Sequence, residues 1–301
     1  MKSIVTHPNF DYLQEAYKDD ENLRFAEVEH ERFWDGWPKF VLKDVEESIR
    51  YKDVTYIWDF STPVSTMESY FMIRGIISNI ADKVRIIMPF FPVATMERET
   101  EEGQVITALY FAHMFSKNIP MWRSMKTSIH NFDIHAETVK GYYDEFKITP
   151  EMHTTMSLIK AKMNKDTMAV FPDEWAYKRF KNEFKDYDIV ICEKRRWKWW
   201  KRTVRIKEWD INWRDGVLID DLIQTGWTLI ACGEQLRNAW ARKLDAYAPH
   251  WVFPNDSYIK VANAFDTLYI SDTIPANRER AEGIENMEIL EISWLVRKII
   301  S

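Results

Sequence analysis

Short apolar runs alternate along the chain with longer stretches in which apolar residues recur at helical spacing. Apolar runs bounded by turn residues are typical of buried strands, and a 3.6-residue repeat is typical of a helix packed on one face. These patterns predict strands at 54–58, 84–88, 129–133, 167–171, 188–192, 217–220, 244–249 and 267–271. They predict helices from about 63 to 80, at 106–116, from about 172 to 185 and at about 228–240.

The alternation of strands and helices predicts an α/β fold, in which parallel sheets are covered by helices. A chain of 301 residues is long enough for two domains, and its halves meet near Pro150. We therefore expect an N-terminal domain at residues 1–149 and a C-terminal domain at residues 150–301. Because ligands of open parallel sheets bind at the carboxyl ends of strands, functional residues should follow strands directly.

Composition and charge narrow the class of protein. The formal net charge of −6 does not favour non-specific nucleic-acid binding, and eight glycines leave no Gly-rich nucleotide loop. The two cysteines have no metal-type spacing, which fits a reducing compartment. The sequence shows no signal peptide and no apolar run of membrane-spanning length. We expect a cytoplasmic protein that binds neither membrane nor nucleic acid.

The segment 217–228, VLIDDLIQTGWT, carries the clearest candidate chemistry. Asp220 and Asp221 end a predicted strand, and the loop 224–227 leads into a predicted helix at Thr228. Two carboxylates can accept hydrogen bonds from two ribose hydroxyls, and loop N–H groups at a helix N-terminus can hold a phosphate. The alternative is that the aspartates cap a helix and the loop is an ordinary turn.

Further motifs occur along the chain, most of them directly after predicted strands. Their sequences are FWDGW (33–37), PFFPVATMER (89–98), FDIHAETVKGYY (132–143), FPDEWAYK (171–178), ICEKRRW (191–197) and SDTIP (271–275). Together with VLIDDLIQTGWT, and in this order, they resemble motifs of the ribose-phosphate pyrophosphokinase (PRPP synthetase) family. The resemblance implies two type I phosphoribosyltransferase-like domains, each a parallel sheet flanked by helices.

The resemblance also implies a reaction. The β,γ-diphosphoryl group of ATP is transferred to the C1 hydroxyl of a ribose 5-phosphate moiety, AMP is released, and Mg2+ assists. Fixed cations stabilise the charge on the transferring group. Family members are dimers and hexamers, so we expect a homo-oligomer.

The family's functional residues map onto this sequence motif by motif. The implied catalytic residues are Lys194, Arg196 and His135, and the implied metal ligands are His135 and Asp173. The implied ATP-binding residues are Phe33, Asp35, Glu97, Arg98 and His135. The implied acceptor-binding residues are Asp220, Asp221, Gln224, Thr225, Gly226, Trp227 and Thr228.

The departures from the family pattern bear on the acceptor. Trp227 stands where a small residue is the rule, and Gln224 where an acidic residue is common. A loop that wraps a terminal phosphate needs small residues because its backbone must approach closely. Ribose 5-phosphate and ADP-ribose both remain candidate acceptors, the second because a phage branch of the family uses it in NAD+ synthesis. Trp227 could instead point into the core.

Three other functions stay open. Thr95, Met96 and Trp37 replace family residues near ATP, which would suit an inactive regulatory subunit. A phosphoribosyltransferase that consumes PRPP shares the acceptor loop but lacks the basic segment. The segment 194–202, KRRWKWWKR, could be a mobile lid over the phosphates, or a patch that stacks on single-stranded nucleic acid.

Overall fold

The computed structural model describes residues 1–117, 126–146, 148, 150–196, 202–208 and 211–301; the side chains of 144–146, 194–196 and 202–208 are outside that description. The chain forms two compact units, unit 1 at residues 1–153 with 293–301, and unit 2 at residues 154–292. The predicted division, between residues 149 and 150, differs from this one by four residues and by the place of the last nine residues.

Unit 1 is built on a six-stranded parallel sheet. Unit 1 as a whole contains the strands β1 (Lys2–Thr6), β2 (Leu23–Phe25), β3 (Val28–Arg32), β4 (Pro38–Leu42), β5 (Asp53–Ile57), β6 (Lys83–Met88), β7 (Lys126–Phe132) and β8 (Pro150–His153). Its α-helices are α1 (Tyr12–Ala16), α2 (Val45–Ser48), α3 (Pro63–Ser78), α4 (Thr107–Lys117) and α10 (Ser293–Ile300). The order in the sheet is β2-β1-β5-β6-β7-β8, and β3 and β4 form a separate antiparallel hairpin.

The central strands of unit 1 are buried because helices cover the sheet. In β5 the last four residues are all buried, as a parallel strand with two covered faces requires. Helix α3 starts where the sequence favours a start: Thr62 and Ser65 form a capping box, and Pro63 occupies the first turn. Its Ile73, Ile76 and Ile77 pack into the core with residues of β5 and β6.

Unit 2 is built on a seven-stranded sheet. Its strands are β9 (Met168–Phe171), β10 (Ile189–Arg196), β11 (Arg202–Glu208), β12 (Asp215–Ile219), β13 (Leu222–Ile223), β14 (Lys243–Ala248), β15 (His250–Trp251), β16 (Leu268–Ser271) and β17 (Met287–Leu290). Its α-helices are α5 (Met156–Lys160), α6 (Glu174–Phe180), α7 (Trp227–Asn238), α8 (Ser257–Ala262) and α9 (Ala276–Ala281). The order in the main sheet is β11-β10-β9-β12-β14-β16-β17, with β13 and β15 paired separately.

The predicted α/β fold with two parallel sheets is confirmed. In unit 2 the exception is β11, which pairs antiparallel with β10 at the sheet edge. The helix that was predicted to reach about residue 185 ends at Phe180. None of the helices in the described part of the chain has the length and hydrophobicity needed to cross a bilayer.

Candidate active site

The paired aspartates of unit 2 lie directly after β12. The backbone N–H of Asp220 donates to the Tyr247 carbonyl at 3.1 Å, which continues the pairing with β14. Asp221 is 6% exposed, and its Oδ2 lies 2.7 Å from Nη1 of Arg179 on α6. This ion pair fixes the direction of the Asp221 carboxylate. Asp220 is the more exposed of the two.

Gly226 forms the junction between the aspartates and α7. Its φ is +69°, and a Cβ there would lie 2.3 Å from Cγ2 of Val261. Only glycine fits this position without strain. The first N–H groups of an α-helix have no partner within the helix, and Gly226 has no side chain to cap them. The N-terminus of α7, beginning at Trp227, can therefore bind an anion.

Trp227 does not pack into the core. Its side chain is 53% exposed, and Nζ of Lys260 lies 4.8 Å from the ring centroid. The possibility that Trp227 points inward is therefore wrong. Trp227 and Lys260 belong to an open cleft of about 620 Å³, whose lining residues are Thr225, Trp227, Pro254, Asn255, Asp256, Ser257, Ile259, Lys260 and Asn263. This cleft, the Trp227 cleft, offers an aromatic face, a cation and several hydrogen-bonding groups.

Asp173 follows β9 and caps α6. Its Oδ1 accepts hydrogen bonds from the N–H groups of Trp175 and Ala176, each at 3.0 Å. Capping fixes the direction of the carboxylate. Oxygen ligands of this kind suit Mg2+, so Asp173 fits the predicted metal role.

Lys194 and Arg196 lie on an extension of the sheet. Ile189, Val190 and Ile191 pair with β9, whereas Lys194 pairs with Val204 of β11. The side chains of Lys194 and Arg196 lie outside the described residues, as do residues 197–201. The backbone places both cations on β10, next to β9 and beyond it β12. The carboxyl ends of these three parallel strands share one edge of the sheet.

In unit 1, two of the predicted ATP-binding segments are in contact. His135 is exposed and follows β7, after Asp133, whose backbone N–H donates to the His153 carbonyl at 3.0 Å. The hydroxyl of Tyr142, which belongs to the same segment as His135, donates a hydrogen bond to the carbonyl of Glu97. Arg98 is exposed, with Nε 3.4 Å from Oε1 of Glu97. The loops after β6 and β7 are therefore joined.

Phe33 and Asp35 lie in the turn of the β3–β4 hairpin. The Phe33 N–H donates to the Trp37 carbonyl at 2.8 Å, and Asp35 Oδ1 accepts from the Trp37 N–H at 3.3 Å. Phe33, Trp34 and Trp37 are all exposed. The hairpin is held to α3 by an ion pair between Arg32 and the buried Glu68. It thus presents aromatic rings on a fixed turn.

Two residues were missed by the sequence analysis. Arg179 lies six positions after Asp173 on the helix that Asp173 caps, so its position could have been noticed. Lys260 belongs to α8, and nothing in its local sequence connects it with Trp227; only the packing of α8 beside α7 does.

Comparison with known proteins gives consistent relatives. Residues 3–118 match the family model for the N-terminal domain of ribose phosphate pyrophosphokinase. Ribose-phosphate pyrophosphokinase 3, chloroplastic, of Oryza sativa is 32% identical over 291 residues, which span 92% of this chain and 70% of the relative. Ribose-phosphate pyrophosphokinase 4 of Arabidopsis thaliana is 30% identical over 287 residues, spanning 91% and 84%.

A bacterial relative and a solved structure show similarity of the same kind. The Vibrio cholerae ribose-phosphate pyrophosphokinase is 30% identical over 261 residues, spanning 83% of this chain and 79% of the relative. The crystal structure of phosphoribosylpyrophosphate synthetase from Mycobacterium smegmatis superposes with a TM-score of 0.80 over 100% of this chain and 98% of that one. At 18% identity, that likeness concerns the fold.

Proposed function

Because this chain belongs to the ribose-phosphate pyrophosphokinase family, we propose that it transfers the β,γ-diphosphoryl group of ATP to the C1 hydroxyl of a ribose 5-phosphate moiety and releases AMP. The observation that carries the proposal is the acceptor loop. Asp220 and Asp221 follow β12, and Gly226 leads directly into the uncapped N-terminus of α7. This arrangement suits a ribose whose 5-position bears a phosphate.

Different residues of this chain bind the acceptor and stabilise the transferring group in the proposed reaction. Asp220 and Asp221 accept hydrogen bonds from the ribose hydroxyls, and the first N–H groups of α7 hold the 5-phosphate. The C1 oxygen forms a bond to the β-phosphorus of ATP as the bond to the α,β-bridging oxygen breaks. AMP leaves with that oxygen, and the proton of the C1 hydroxyl passes to the solvent. Lys194 and Arg196 provide fixed positive charge for the transferring group.

The residues that bind ATP and Mg2+ are likewise proposed from membership of the family. Phe33 and Asp35 of the hairpin, with Glu97, Arg98 and His135, are the proposed ATP-binding residues. His135 in unit 1 and Asp173 in unit 2 are each proposed ligands of Mg2+, which neutralises phosphate charge when bound. The oxygen chemistry of Asp173 fits that ion.

The Trp227 cleft favours ADP-ribose over ribose 5-phosphate as the acceptor. In ADP-ribose the 5-phosphate continues into a second phosphate and an adenosine. An exposed indole with Lys260 beside it can stack on an adenine and attract the additional phosphate. A terminal phosphate held by the first N–H groups of α7 would not need the exposed face of the indole.

The acceptor is tested by incubating the protein with ATP, Mg2+ and each acceptor, and separating AMP by chromatography. AMP with ADP-ribose supports the proposed acceptor, and AMP with ribose 5-phosphate alone would overturn it. AMP with neither acceptor would favour the regulatory-subunit alternative. Trp227→Ala should raise the KM for ADP-ribose about tenfold, the loss of roughly one stacking contact. Trp240→Ala, which removes another exposed indole of unit 2, should leave it unchanged.

The catalytic assignment is tested by Lys194→Ala. Turnover should be abolished while the circular dichroism spectrum and thermal midpoint stay those of the natural chain. Full activity in this variant would remove Lys194 from the mechanism.

We also propose a cytoplasmic homo-oligomer. The exposed Phe33, Trp34 and Trp37 favour self-association, because clustered exposed aromatics commonly mark interfaces. Light scattering on the purified protein measures the oligomer directly, and a monomer at every concentration would contradict the proposal.

A further inference from the structure

Three potential metal ligands converge at the edge of the unit 1 sheet. His130 lies on β7, and Glu151 and His153 lie on the neighbouring parallel strand β8. Nδ1 of His130 is 3.0 Å from Nε2 of His153 and 3.7 Å from Oε2 of Glu151. One ligand atom from each residue lies within 4.8 Å of the other two.

The register of β7 and β8 explains this convergence. His130 is paired with Glu151, and Phe132 with His153. Side chains two residues apart on a strand point to the same face, so Glu151 and His153 flank the His130 ring. The convergence is therefore fixed by backbone pairing.

The distances suit one shared ion. Two nitrogens that bind Zn2+ tetrahedrally at about 2.0–2.1 Å are roughly 3.3 Å apart. The separations of 3.0 and 3.7 Å bracket that value. The second nitrogen of His130, Nε2, lies 2.8 Å from the Ser128 hydroxyl, an outer partner of the kind that orients metal-binding histidines.

The protonation of the cluster agrees with the geometry. Burial lowers the pKa of His130 to about 4 and also lowers the pKa of His153. Both rings are therefore neutral at pH 7, which is the form that binds metals. The charges of Arg85 and Lys83 also lower the pKa of His130, and that of Lys298 lowers the pKa of His153; Arg85 is paired with Asp53 at 2.8 Å.

We propose that His130, Glu151 and His153 bind one divalent first-row transition-metal ion of the Zn2+ class. Two imidazoles and one carboxylate suit Zn2+ or Co2+, whereas Mg2+ prefers oxygen ligands throughout. The Glu151 side chain is 58% exposed, so a fourth position can be filled by water. The ligands of this site therefore differ in type from those expected for the Mg2+ of the proposed reaction.

The bound ion would clamp the edge strand β8 to β7. It would also act near the ATP-binding residues, because the His153 carbonyl accepts from the N–H of Asp133, two positions before His135. A metal-dependent rise in thermal stability is therefore expected.

The site is tested by removing metals from the purified protein with a chelator and titrating it with Co2+ in the absence of ATP. Tetrahedral Co2+ with nitrogen ligands absorbs visible light strongly, and Zn2+ should displace it. We expect one equivalent per chain and a higher thermal midpoint. His153→Gln and Glu151→Gln should each weaken binding by more than the roughly tenfold that loss of an outer partner of a metal ligand costs. His113→Gln, which changes a histidine of α4, is the matched control.

Three results would overturn the proposal. One is the lack of a visible Co2+ spectrum in the natural chain. The second is undiminished binding in a His130→Gln/His153→Gln double variant, which would place the ion elsewhere. The third is undiminished binding in Glu151→Gln, whose exposed position protects the fold and so separates loss of a ligand from loss of structure.

Discussion

Gly226 illustrates how one residue determines the acceptor loop. Its φ of +69° and the 2.3 Å that would separate an added Cβ from Cγ2 of Val261 are two separate penalties for any other residue. The left-handed conformation costs roughly 1–2 kcal/mol and the overlap roughly 1–3 kcal/mol. We expect Gly226→Ala to lower the free energy of unfolding by about 2–5 kcal/mol in urea denaturation.

Gly283→Ala separates the two penalties. Gly283 has a φ of +78°, but nothing lies within 4 Å of its would-be Cβ. This variant should lose roughly 1–2 kcal/mol, the cost of conformation alone. Equal losses in both variants would show that Val261 moves aside at no cost and that the close approach is unimportant.

His7 makes stability depend on pH. Its Nδ1 accepts the Asn9 N–H at 3.1 Å, and burial lowers the pKa of His7 from 6.5 to about 4. Above pH 6.5 both folded and unfolded states are neutral and the group contributes nothing. As the pH falls from 6.5 towards 4, the unfolded state binds the proton more readily, so stability decreases by up to about 3 kcal/mol.

His7→Asn keeps an acceptor for the cap and removes the titration. Urea unfolding at pH 7.5 and at pH 4.5 should show a smaller loss of stability on acidification in this variant than in the natural chain. An unchanged difference between the two pH values would mean that His7 is not the responsible group.

The two aspartates show what the sequence can and cannot reveal about a site. Their position after a strand and before a loop and helix is readable from the pattern IDDLIQTGWT, and β12 and α7 flank it as predicted. The difference between them is not readable, because Arg179, which pairs with Asp221, comes from α6. Likewise the exposure of Trp227 depends on the packing of α8, because an indole can lie either in a core or on a surface.

At the scale of elements, the β3–β4 hairpin depends on Glu68 of α3. The buried Glu68 carboxylate pairs with Arg32, and it also lies 3.8 Å from Nε2 of His7. Glu68→Gln keeps the shape and removes the charge. Because hydrogen bonds to charged groups contribute about 1.5–3 kcal/mol, amide exchange in residues 28–42 should be about tenfold faster or more.

Glu31→Gln is the matched control for the hairpin. Glu31 pairs with Lys39 within the hairpin at 2.6 Å, but both side chains are exposed. Exposed pairs contribute at most about 1 kcal/mol, so exchange should change little. If the proposed function is correct, Glu68→Gln also raises the KM for ATP. Similar exchange in the two variants would argue against the Arg32–Glu68 pair as the anchor.

Sequence patterns predicted most of the buried central strands, but they missed the buried strand β1 and the exposed strands of the hairpin. Strands β5, β6 and β14 are covered on both faces, so their residues are mostly apolar and almost all buried, as in VRIIM. The hairpin strands are exposed or only partly buried. VEHER is too polar to indicate a strand, and PKFVL has only three consecutive apolar residues. Strand β11 begins at the end of the basic segment 194–202, and the sequence pattern did not predict it.

At the scale of the whole molecule, the last residues belong to the first unit. Helix α10 follows unit 2 in the chain, yet Arg297 pairs with Asp20 at 2.6 Å, and the Ile300 carbonyl accepts from Lys2 at 2.5 Å. A division drawn by order along the chain therefore places α10 in the second half. Only contacts between the two ends of the sequence identify its unit.

Ile300→Ala tests whether α10 stabilises unit 1 specifically. Ile300 is fully buried, and truncating such a residue costs about 2–5 kcal/mol. Hydrogen exchange should therefore accelerate in β1 and β5, whereas β12 and β14 of unit 2 should keep their protection. Trp294→Ala, on the same helix but 48% exposed, should change neither by more than about 1 kcal/mol. Loss of protection in both units after Ile300→Ala would mean that they unfold as one cooperative body.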